Sequence, residues 1–368
     1  MYGPGLGSSR LPLKCRRVAF LAALVIAAGV AGSDAVAAPV TLAAPAQGRI
    51  ISFAQDGRRI AWIGYRERVH VKTIATGRSE VVGSARTQGG GAGGFPIGYR
   101  NHLLALAGKQ ALWTVQSGGN CVETFVQTAT LGDGKPPAGV TDMTFCEVEG
   151  SVTTAVGGDA ATLALTTVTF QNVGDCGSRV ALGATRRVVG SSSVAVPGSA
   201  PPVQLAVSAG RVAVVPADLG ICSAAVLTPA PDGTVEISAA IDGALLAAFS
   251  PAGTVRALAL SGTRAVVLVE APDGSKRVER YDAVTGALLG ATPLSRGVAP
   301  DLDIAGEWIV YRTGRAIRLI DAVTGAKQLL FIAPVTPLGL SIESRRVAWA
   351  ENRSGHGRVR SVMAPLRP

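Results

Sequence analysis

The chain is poor in aromatic residues, charged residues and histidine. Only 5% of its 368 residues are Phe, Trp or Tyr, 16% are charged and three are His. So few charges argue against a chain of ordinary surface helices, and no histidine lies near a cysteine in sequence, which disfavours a zinc centre. A hydrophobic content of 48% excludes intrinsic disorder. Ala, Val, Gly, Thr and Leu dominate, which favours packed strands joined by glycine turns.

Several sequence motifs of catalysis and ligand binding are also missing. There is no Gly-x-Ser-x-Gly elbow, no EF-hand string and no Gly-x-x-x-x-Gly-Lys loop. The glycine-rich segment 89–94 leads into Phe95-Pro96 and is interpreted as a linker. No basic run is interleaved with stacking aromatics, so nucleic acid is not expected as a partner. We predict no cofactor and no metal.

The first 37 residues have the features of a signal peptide. Basic residues between Arg10 and Arg17 precede an apolar run at 18–31, and Ala35-Val36-Ala37 matches a cleavage site. A bilayer span needs about 20 apolar residues, and no later run approaches that length. We expect a bacterial secreted, periplasmic or envelope protein, soluble after leader removal, with one domain at 38–368. Twin-arginine export and an uncleaved anchor remain alternatives. Cleavage would lower the net charge from +10 to +7.

Four cysteines follow the leader, and an even number in an exported chain indicates two disulfides. Cys121 and Cys146 could pair across one hairpin, whereas Cys176 and Cys222 could pair between adjacent repeats. Four cysteines allow three pairings, so the alternatives stay open.

Short turn sequences recur along the chain. The hexapeptide Asp282-Ala-Val-Thr-Gly-Ala287 is repeated at 321–326, and Ala-Pro-Asp-Gly occurs at 230–233 and 271–274. Pro fixes φ, Asp bonds its own backbone and Gly reaches positive φ, so these segments are predicted to be hairpin turns. The carboxylates of Asp242, Asp282 and Asp321 are therefore interpreted as structural.

A further turn between two apolar strands sets the period of the repeat. It is centred near residues 57, 108, 158, 210, 262, 306 and 344, at intervals of 38 to 52 residues. Such intervals, with four strand-sized segments each, are typical of propeller blades. We predict an all-β protein, a seven-bladed β-propeller of four-stranded antiparallel blades, with six or eight blades as alternatives. The uninterrupted apolar segment 265–269 should be buried on both faces.

The last repeat starts at Pro337 and ends after its third strand. The segment Val40-Thr41-Leu42 is predicted to supply the fourth strand and to close the ring. Closure of this kind removes two exposed sheet edges.

Two segments resemble blades of known propellers. The segment Phe53-Ala-Gln-Asp-Gly-Arg-Arg-Ile-Ala-Trp62 resembles the strand-turn-strand unit of TolB-like and WD-repeat-like propellers, and 282–287 resembles the third turn of quinoprotein-type blades. The tryptophan-docking pattern of quinoprotein blades and the Trp-Asp dipeptide are absent. The resemblance implies the fold of TolB-like bacterial exported propellers and does not imply a cofactor.

Strand register places four polar side chains near one mouth of the central channel. The residues six positions before the glycine turns include His102, Gln204 and Arg256. In the repeat with its turn near 306 this position is Pro300, and Asp301 is the next residue. Many propellers bind ligands at a channel mouth, so these four residues are the candidate ligand-binding ring. A structural ion pair between Arg256 and Asp301 is the alternative. A one-residue register error would turn these side chains to the other face.

Arginines beside the inner turns bear on the choice of partner. They either form a basic face for an anionic envelope component or are solvated at hairpin tips, and we favour the second interpretation. These residues are Arg58, Arg59, Arg211, Arg264, Arg345 and Arg346. We expect a monomeric, non-catalytic binding or scaffold module for a protein, envelope polymer or small ligand. The competing hypothesis is a propeller enzyme, a lyase or lactone hydrolase, with its site at the channel mouth.

Overall fold

The computed structural model describes residues 39–366 apart from 44–47, 87–101, 119–120, 147–148, 161, 175–177, 199–200 and 220–226. Within these residues, 28 strands form six antiparallel sheets, and a 3-10 turn covers Tyr65–Glu67. No helix in this part of the chain is long and apolar enough to cross a membrane. The predicted leader, Cys176 and Cys222 lie outside the described residues.

Five of the sheets have four strands each. The first contains β2 (Ser52–Asp56), β3 (Arg59–Ile63), β4 (Arg68–Thr73) and β5 (Ser79–Ser84), and the second contains β14 (Pro202–Ser208), β15 (Arg211–Pro216), β16 (Val235–Ala239) and β17 (Leu245–Phe249). The third contains β18 (Thr254–Ser261), β19 (Arg264–Glu270), β20 (Lys276–Asp282) and β21 (Leu288–Leu294). The fourth contains β22 (Val298–Ala305), β23 (Trp308–Thr313), β24 (Ala316–Asp321) and β25 (Lys327–Ile332). The fifth contains β26 (Leu338–Glu343), β27 (Arg346–Arg353), β28 (His356–Met363) and β1 (Val40–Ala43).

The sixth sheet has eight strands, so the prediction of seven separate four-stranded blades is wrong. Its strands are β6 (Leu104–Ala107), β7 (Gln110–Gly118), β8 (Cys121–Thr130), β9 (Ala138–Cys146), β10 (Glu149–Asp159), β11 (Thr162–Asn172), β12 (Ser178–Val189) and β13 (Ser192–Val196). Strands β7 to β12 are 9 to 12 residues long, against 4 to 8 in the other sheets. The extra length lets Cys146 at the end of β9 pair with Glu149 at the start of β10, which joins both halves into one ladder. The propeller therefore has five four-stranded blades and one eight-stranded sheet.

The innermost strands pack side by side around a central channel. They follow one another as β2, β6, β10, β14, β18, β22 and β26, and β26 contacts β2. The ring is closed by β1, in which Val40 pairs with Ser361 of β28. The predicted pairing of the segment at Val40 with the last repeat is confirmed.

Strand β19 shows how the sheets share their core. Ala265, Val267 and Val269 pack against the preceding sheet, whereas Val266 and Leu268 pack against the following sheet. All five side chains are buried, as predicted for this segment. Burial of an aliphatic side chain of this size stabilises the fold by about 1.5–3 kcal/mol. Small and branched residues thus dominate because each strand is covered on two sides.

The repeated hexapeptides form the turns expected of them. In the first, the Asp282 carboxylate accepts hydrogen bonds from the backbone N–H groups of Val284 and Thr285, both at 2.8 Å. Asp321 does the same in the second repeat. Gly286 follows at φ +74°, a conformation that favours glycine. The structural interpretation of these two carboxylates is confirmed.

One of the two predicted disulfides lies within the described residues. Cys121 of β8 faces Cys146 of β9 directly across the hairpin, with 4.2 Å between their Cα atoms, and the two are bonded. This pairing is confirmed.

Candidate functional site at the channel mouth

A cavity of about 670 Å³ opens where the innermost strands end. Six of the seven innermost strands contribute residues to its wall, and β6 contributes none. Its polar lining comes from Gln55, Asp159, Ser208, Ser261, Asp303, Ser341 and Glu343, with Glu307 and Arg345 from the adjoining turns. The cavity is therefore a joint product of several sheets.

The ends of the innermost strands are held in place by hydrogen bonds between successive sheets. Asp159 accepts a bond of 2.7 Å from the backbone N–H of Ala209, and Ser208 accepts one of 3.1 Å from Gly262. Asp56 accepts a bond from the N–H of Gly108 in the same way. A polar residue just before one turn thus binds the next turn, which fixes the rim of the cavity.

Four arginines beside the turns also join neighbouring sheets. Each donates from its guanidinium to the carbonyl oxygen of a turn glycine in the next sheet: Arg59 to Gly108, Arg211 to Gly262, Arg264 to Gly306 and Arg346 to Gly57. Arg345 donates to the carbonyl oxygen of Ala364, and Arg58 is exposed. The interpretation of these side chains as solvated charges therefore holds for Arg58 and is wrong for the other five, which join backbone segments.

A network of side chains crosses the floor between β22, β26 and β2. The Asp303 carboxylate accepts hydrogen bonds from the Ser341 hydroxyl at 2.9 Å and from the Ile342 N–H at 2.8 Å. The Gln55 amide donates to the Ser341 oxygen at 3.3 Å, and Arg346 donates to the Gln55 amide oxygen at 3.0 Å. The orientation of the Asp303 carboxylate is thus set by three strands.

Two carboxyl groups of the cavity wall have raised pKa values. Burial raises the pKa of Asp303 to about 6, and the charge of Asp159 adds to the shift. Burial also raises the pKa of Glu343, with further contributions from Asp56 and Asp159. Carboxylates that raise the pKa of one another favour an incoming cation.

No group of three His, Cys, Asp or Glu side chains with metal-binding spacing occurs in the described part of the chain.

The four residues of the predicted ligand-binding ring lie at the opposite end of the innermost strands and pair with other residues. His102 contacts Glu67 at 3.5 Å, and burial lowers its pKa. Arg256 pairs with Glu270 at 2.7 Å, and Asp301 pairs with Arg312. The Gln204 amide donates to the Val255 carbonyl at 3.1 Å. Within the described residues no hydrogen bond or ion pair joins any two of the four. The alternative interpretation, an Arg256–Asp301 ion pair, is wrong, because these two residues pair with Glu270 and Arg312.

The sequence reasoning missed the residues that line the cavity, although a signal was present. Asp, Ser or Glu stands just before the turn in five repeats, at Asp56, Asp159, Ser208, Ser261 and Glu343, and all of these except Asp56 line the cavity. Their recurrence at one position of the repeat places polar side chains at one end of the channel.

No protein-family model and no curated protein matches this sequence. Solved structures do share its fold. The WD40 β-propeller domain of Doa1 superposes with a TM-score of 0.50 at 12% identity over 88% of this chain and 97% of that chain. YCF48 from Cyanidioschyzon merolae gives 0.50 at 10% identity over 89% and 99%. A chain of the mitotic checkpoint complex gives 0.50 at 10% identity over 95% and 100%. The chain thus has the β-propeller arrangement found in WD40 domains.

Proposed function

We propose that this protein is an exported, non-catalytic scaffold that binds a protein partner by receiving a basic side chain of that partner in the channel-mouth cavity. The observation that carries the proposal is the cavity itself, open to solvent and walled by Asp159, Asp303 and Glu343. A lysine or arginine side chain entering it would favour the charged form of Asp303 and Glu343, whose pKa values are raised mainly by burial.

The fold comparison supports a protein partner. One neighbour of similar fold is a chain of the mitotic checkpoint complex, a protein assembly. Propellers offer a rigid ring whose mouth can be adapted by changing turn residues, so the same frame suits many partners. A small cationic ligand is the alternative occupant of the same cavity.

Export is proposed from two features. The segment 1–37 has the order of basic, apolar and small residues that a signal peptide needs. The disulfide between Cys121 and Cys146 suits an oxidising compartment such as the periplasm or cell exterior. The resemblance of 53–62 to TolB-like blades agrees with a bacterial envelope location.

The competing enzyme hypothesis relied on His102 and Asp301, and the geometry around those residues gives it no support.

The proposal is tested with fluorescent peptides that carry one central arginine, compared with the same peptides carrying citrulline. Binding is followed by anisotropy. Trp308, which lines the cavity, provides a second readout through its fluorescence. We expect arginine peptides to bind more tightly than citrulline peptides and the difference to shrink at high salt. Equal binding of the two sets would contradict the proposal.

The decisive variant is Glu343→Gln, because this side chain lines the cavity and the substitution removes its charge at nearly constant size. We expect it to weaken the binding of arginine peptides about tenfold, which corresponds to about 1.4 kcal/mol. The matched control is Glu80→Gln on the outer strand β5, which should leave binding unchanged.

A further inference from the structure

Two residues that follow strand β28 lie on the rim of the channel-mouth cavity. Pro365 and Leu366 line it, although β28 ends at Met363. Arg345 fixes this segment from the turn between β26 and β27. Its carbonyl oxygen accepts a hydrogen bond of 2.7 Å from the Ala364 N–H, and its guanidinium donates one of 2.9 Å to the Ala364 carbonyl oxygen. The segment is therefore anchored beside the cavity.

An aromatic side chain lies on the same side of the cavity. Trp308 lines the cavity and packs against the core cluster to which Ala364 belongs. Trp308 is half-buried, whereas Leu366 is 73% exposed. A single exposed leucine is ordinary on a protein surface, but an anchored leucine next to a tryptophan at a cavity forms an apolar contact surface. We call Trp308, Pro365 and Leu366 the apolar rim.

The apolar rim lies close to carboxylates of the cavity wall. Glu343 pairs with Arg346 in the strand ladder, and Arg346 pairs with Met363, so two strand spacings separate Glu343 from the end of β28. This separation is about 10 Å, because neighbouring strands lie about 4.8 Å apart. The Asp303 carboxylate binds the N–H of Ile342, the residue before Glu343. Acidic and apolar groups thus lie within the span of about three residues of an extended peptide.

The charges that line the cavity are mostly of one sign. Four of the five charged side chains in the lining are acidic: Asp159, Asp303, Glu307 and Glu343. The fifth, Arg345, donates to the Ala364 carbonyl oxygen. This lining is complementary to a cationic group and unfavourable for an anionic one.

We propose that the partner segment carries an aliphatic side chain two residues from its basic side chain, and that the aliphatic group packs on the apolar rim while the basic group enters the cavity. This assignment of the partner's chemistry rests on the proposed function, because it concerns the same cavity. In an extended segment the side chains of residues i and i+2 point to one face, about 7 Å apart. The long arginine side chain spans the remaining distance to the carboxylates.

The two contacts contribute in different ways. Charge attraction acts on any basic segment and weakens as salt is added. Covering Leu366 and Trp308 removes apolar surface from water, and this contribution does not depend on charge. The apolar rim therefore determines which of the basic segments stay bound.

The test uses four fluorescent peptides of equal length, whose binding is followed by anisotropy. Each has a central arginine or citrulline, with leucine or serine two residues away on both sides. We expect the arginine peptide with leucines to bind about fivefold more tightly than the arginine peptide with serines, because a partly buried leucine side chain is transferred from water. This ratio should persist at high salt, whereas the ratio of arginine to citrulline should shrink.

Two variants separate the contacts. Leu366→Ser should abolish the preference for leucine and keep the preference for arginine, whereas Glu343→Gln should reduce the preference for arginine and keep that for leucine. The matched control is Leu245→Ser, which replaces a leucine that is 62% exposed on the outer strand β17 and should change neither ratio. Unchanged circular dichroism would show that the variants fold.

Failure of this assignment is distinguishable from failure of the proposed function. Tighter binding of arginine than of citrulline peptides, with no difference between leucine and serine, would overturn the role of the apolar rim and leave the proposed function standing. A preference for leucine that persists in Leu366→Ser would also overturn that role, because the contact would lie elsewhere. Equal binding of arginine and citrulline peptides would contradict the proposed function and this assignment with it.

Discussion

The guanidinium of Arg346 donates a hydrogen bond of 2.7 Å to the carbonyl oxygen of Gly57, which is 289 residues earlier in the chain. The same side chain donates to the Gln55 amide oxygen at 3.0 Å. These bonds join the last sheet to the first at the point where the ring closes. They repeat the contact that Arg59, Arg211 and Arg264 make between other neighbouring sheets.

Replacement of Arg346 should therefore loosen the closure of the ring. We expect Arg346→Ala to lower the free energy of unfolding by about 1–3 kcal/mol, because two acceptors lose a charged donor in a half-buried site. Urea denaturation measures the change. The control is Arg58→Ala at the exposed neighbouring turn position, which should stay within about 0.5 kcal/mol of wild type. Equal effects of the two substitutions would mean that the contact does not stabilise the ring.

Two residues of the first strand, β1, provide an internal comparison that tests how strongly this strand stabilises the closed ring. Leu42 is 6% exposed and Val40 is 62% exposed, although both lie on β1. We expect Leu42→Ala to lower the free energy of unfolding by about 2–4 kcal/mol through lost burial and cavity formation. Val40→Ala should cost far less. Thermal denaturation distinguishes the two, and a Leu42→Ala protein as stable as Val40→Ala would contradict a stabilising role for this pairing.

The disulfide between Cys121 and Cys146 closes a loop of 25 residues. By the loop-entropy relation, its loss from the Cys121→Ser/Cys146→Ser double variant should cost about 3.5 kcal/mol. Guanidinium denaturation of both proteins under oxidising conditions measures this difference. Peptide mapping of the wild type should recover the Cys121–Cys146 link. The Cys176–Cys222 link stays a prediction, and its recovery from the same digest would confirm it.

Asp303 should make stability depend on pH. Its pKa is raised from 3.8 to about 6 in the folded protein, with Asp159 as the charged neighbour that adds to the effect of burial. Between about pH 4 and 6 the folded state then binds more protons than the unfolded state, so the free energy of unfolding falls as the pH rises through this window. The contribution is at most about 3 kcal/mol.

The pH effect is tested by measuring unfolding at several pH values for wild type and Asp303→Asn. We expect the fall in stability between pH 4 and 6 to be reduced in the variant. Asp273→Asn serves as control, because hydrogen bonds from Ser275 lower the pKa of that exposed carboxyl and any effect lies below this window. A wild type and an Asp303→Asn variant with the same pH dependence would refute the assignment.

Much of the blade architecture could be predicted because it depends on local chemistry. The repeated Asp-Ala-Val-Thr-Gly turns and the fully apolar strand at 265–269 impose hairpins and two-sided burial wherever they lie in the ring. The pairing of the segment at Val40 with the last repeat also followed, since that repeat lacked one strand. The division into blades was mistaken at 104–196, because the repeat period does not reveal that β9 and β10 are long enough to pair.

The candidate site depended on relations that no single repeat contains. His102 and Asp301 were selected by register alone, yet each pairs with a charged residue outside the proposed ring, Glu67 and Arg312. The cavity formed at the other end of the strands because Asp303, Ser341 and Gln55 converge there from three sheets.

The amino-acid sequence by itself determined the all-β repeat, its turns and the burial of its inner strands, because each follows from residues close together or equivalent in the repeat. Only the tertiary structure decided the eight-stranded sheet, the use of the turn arginines and the position of the cavity. Those features arise from packing between neighbouring sheets, where side-chain reach and strand length determine which groups meet.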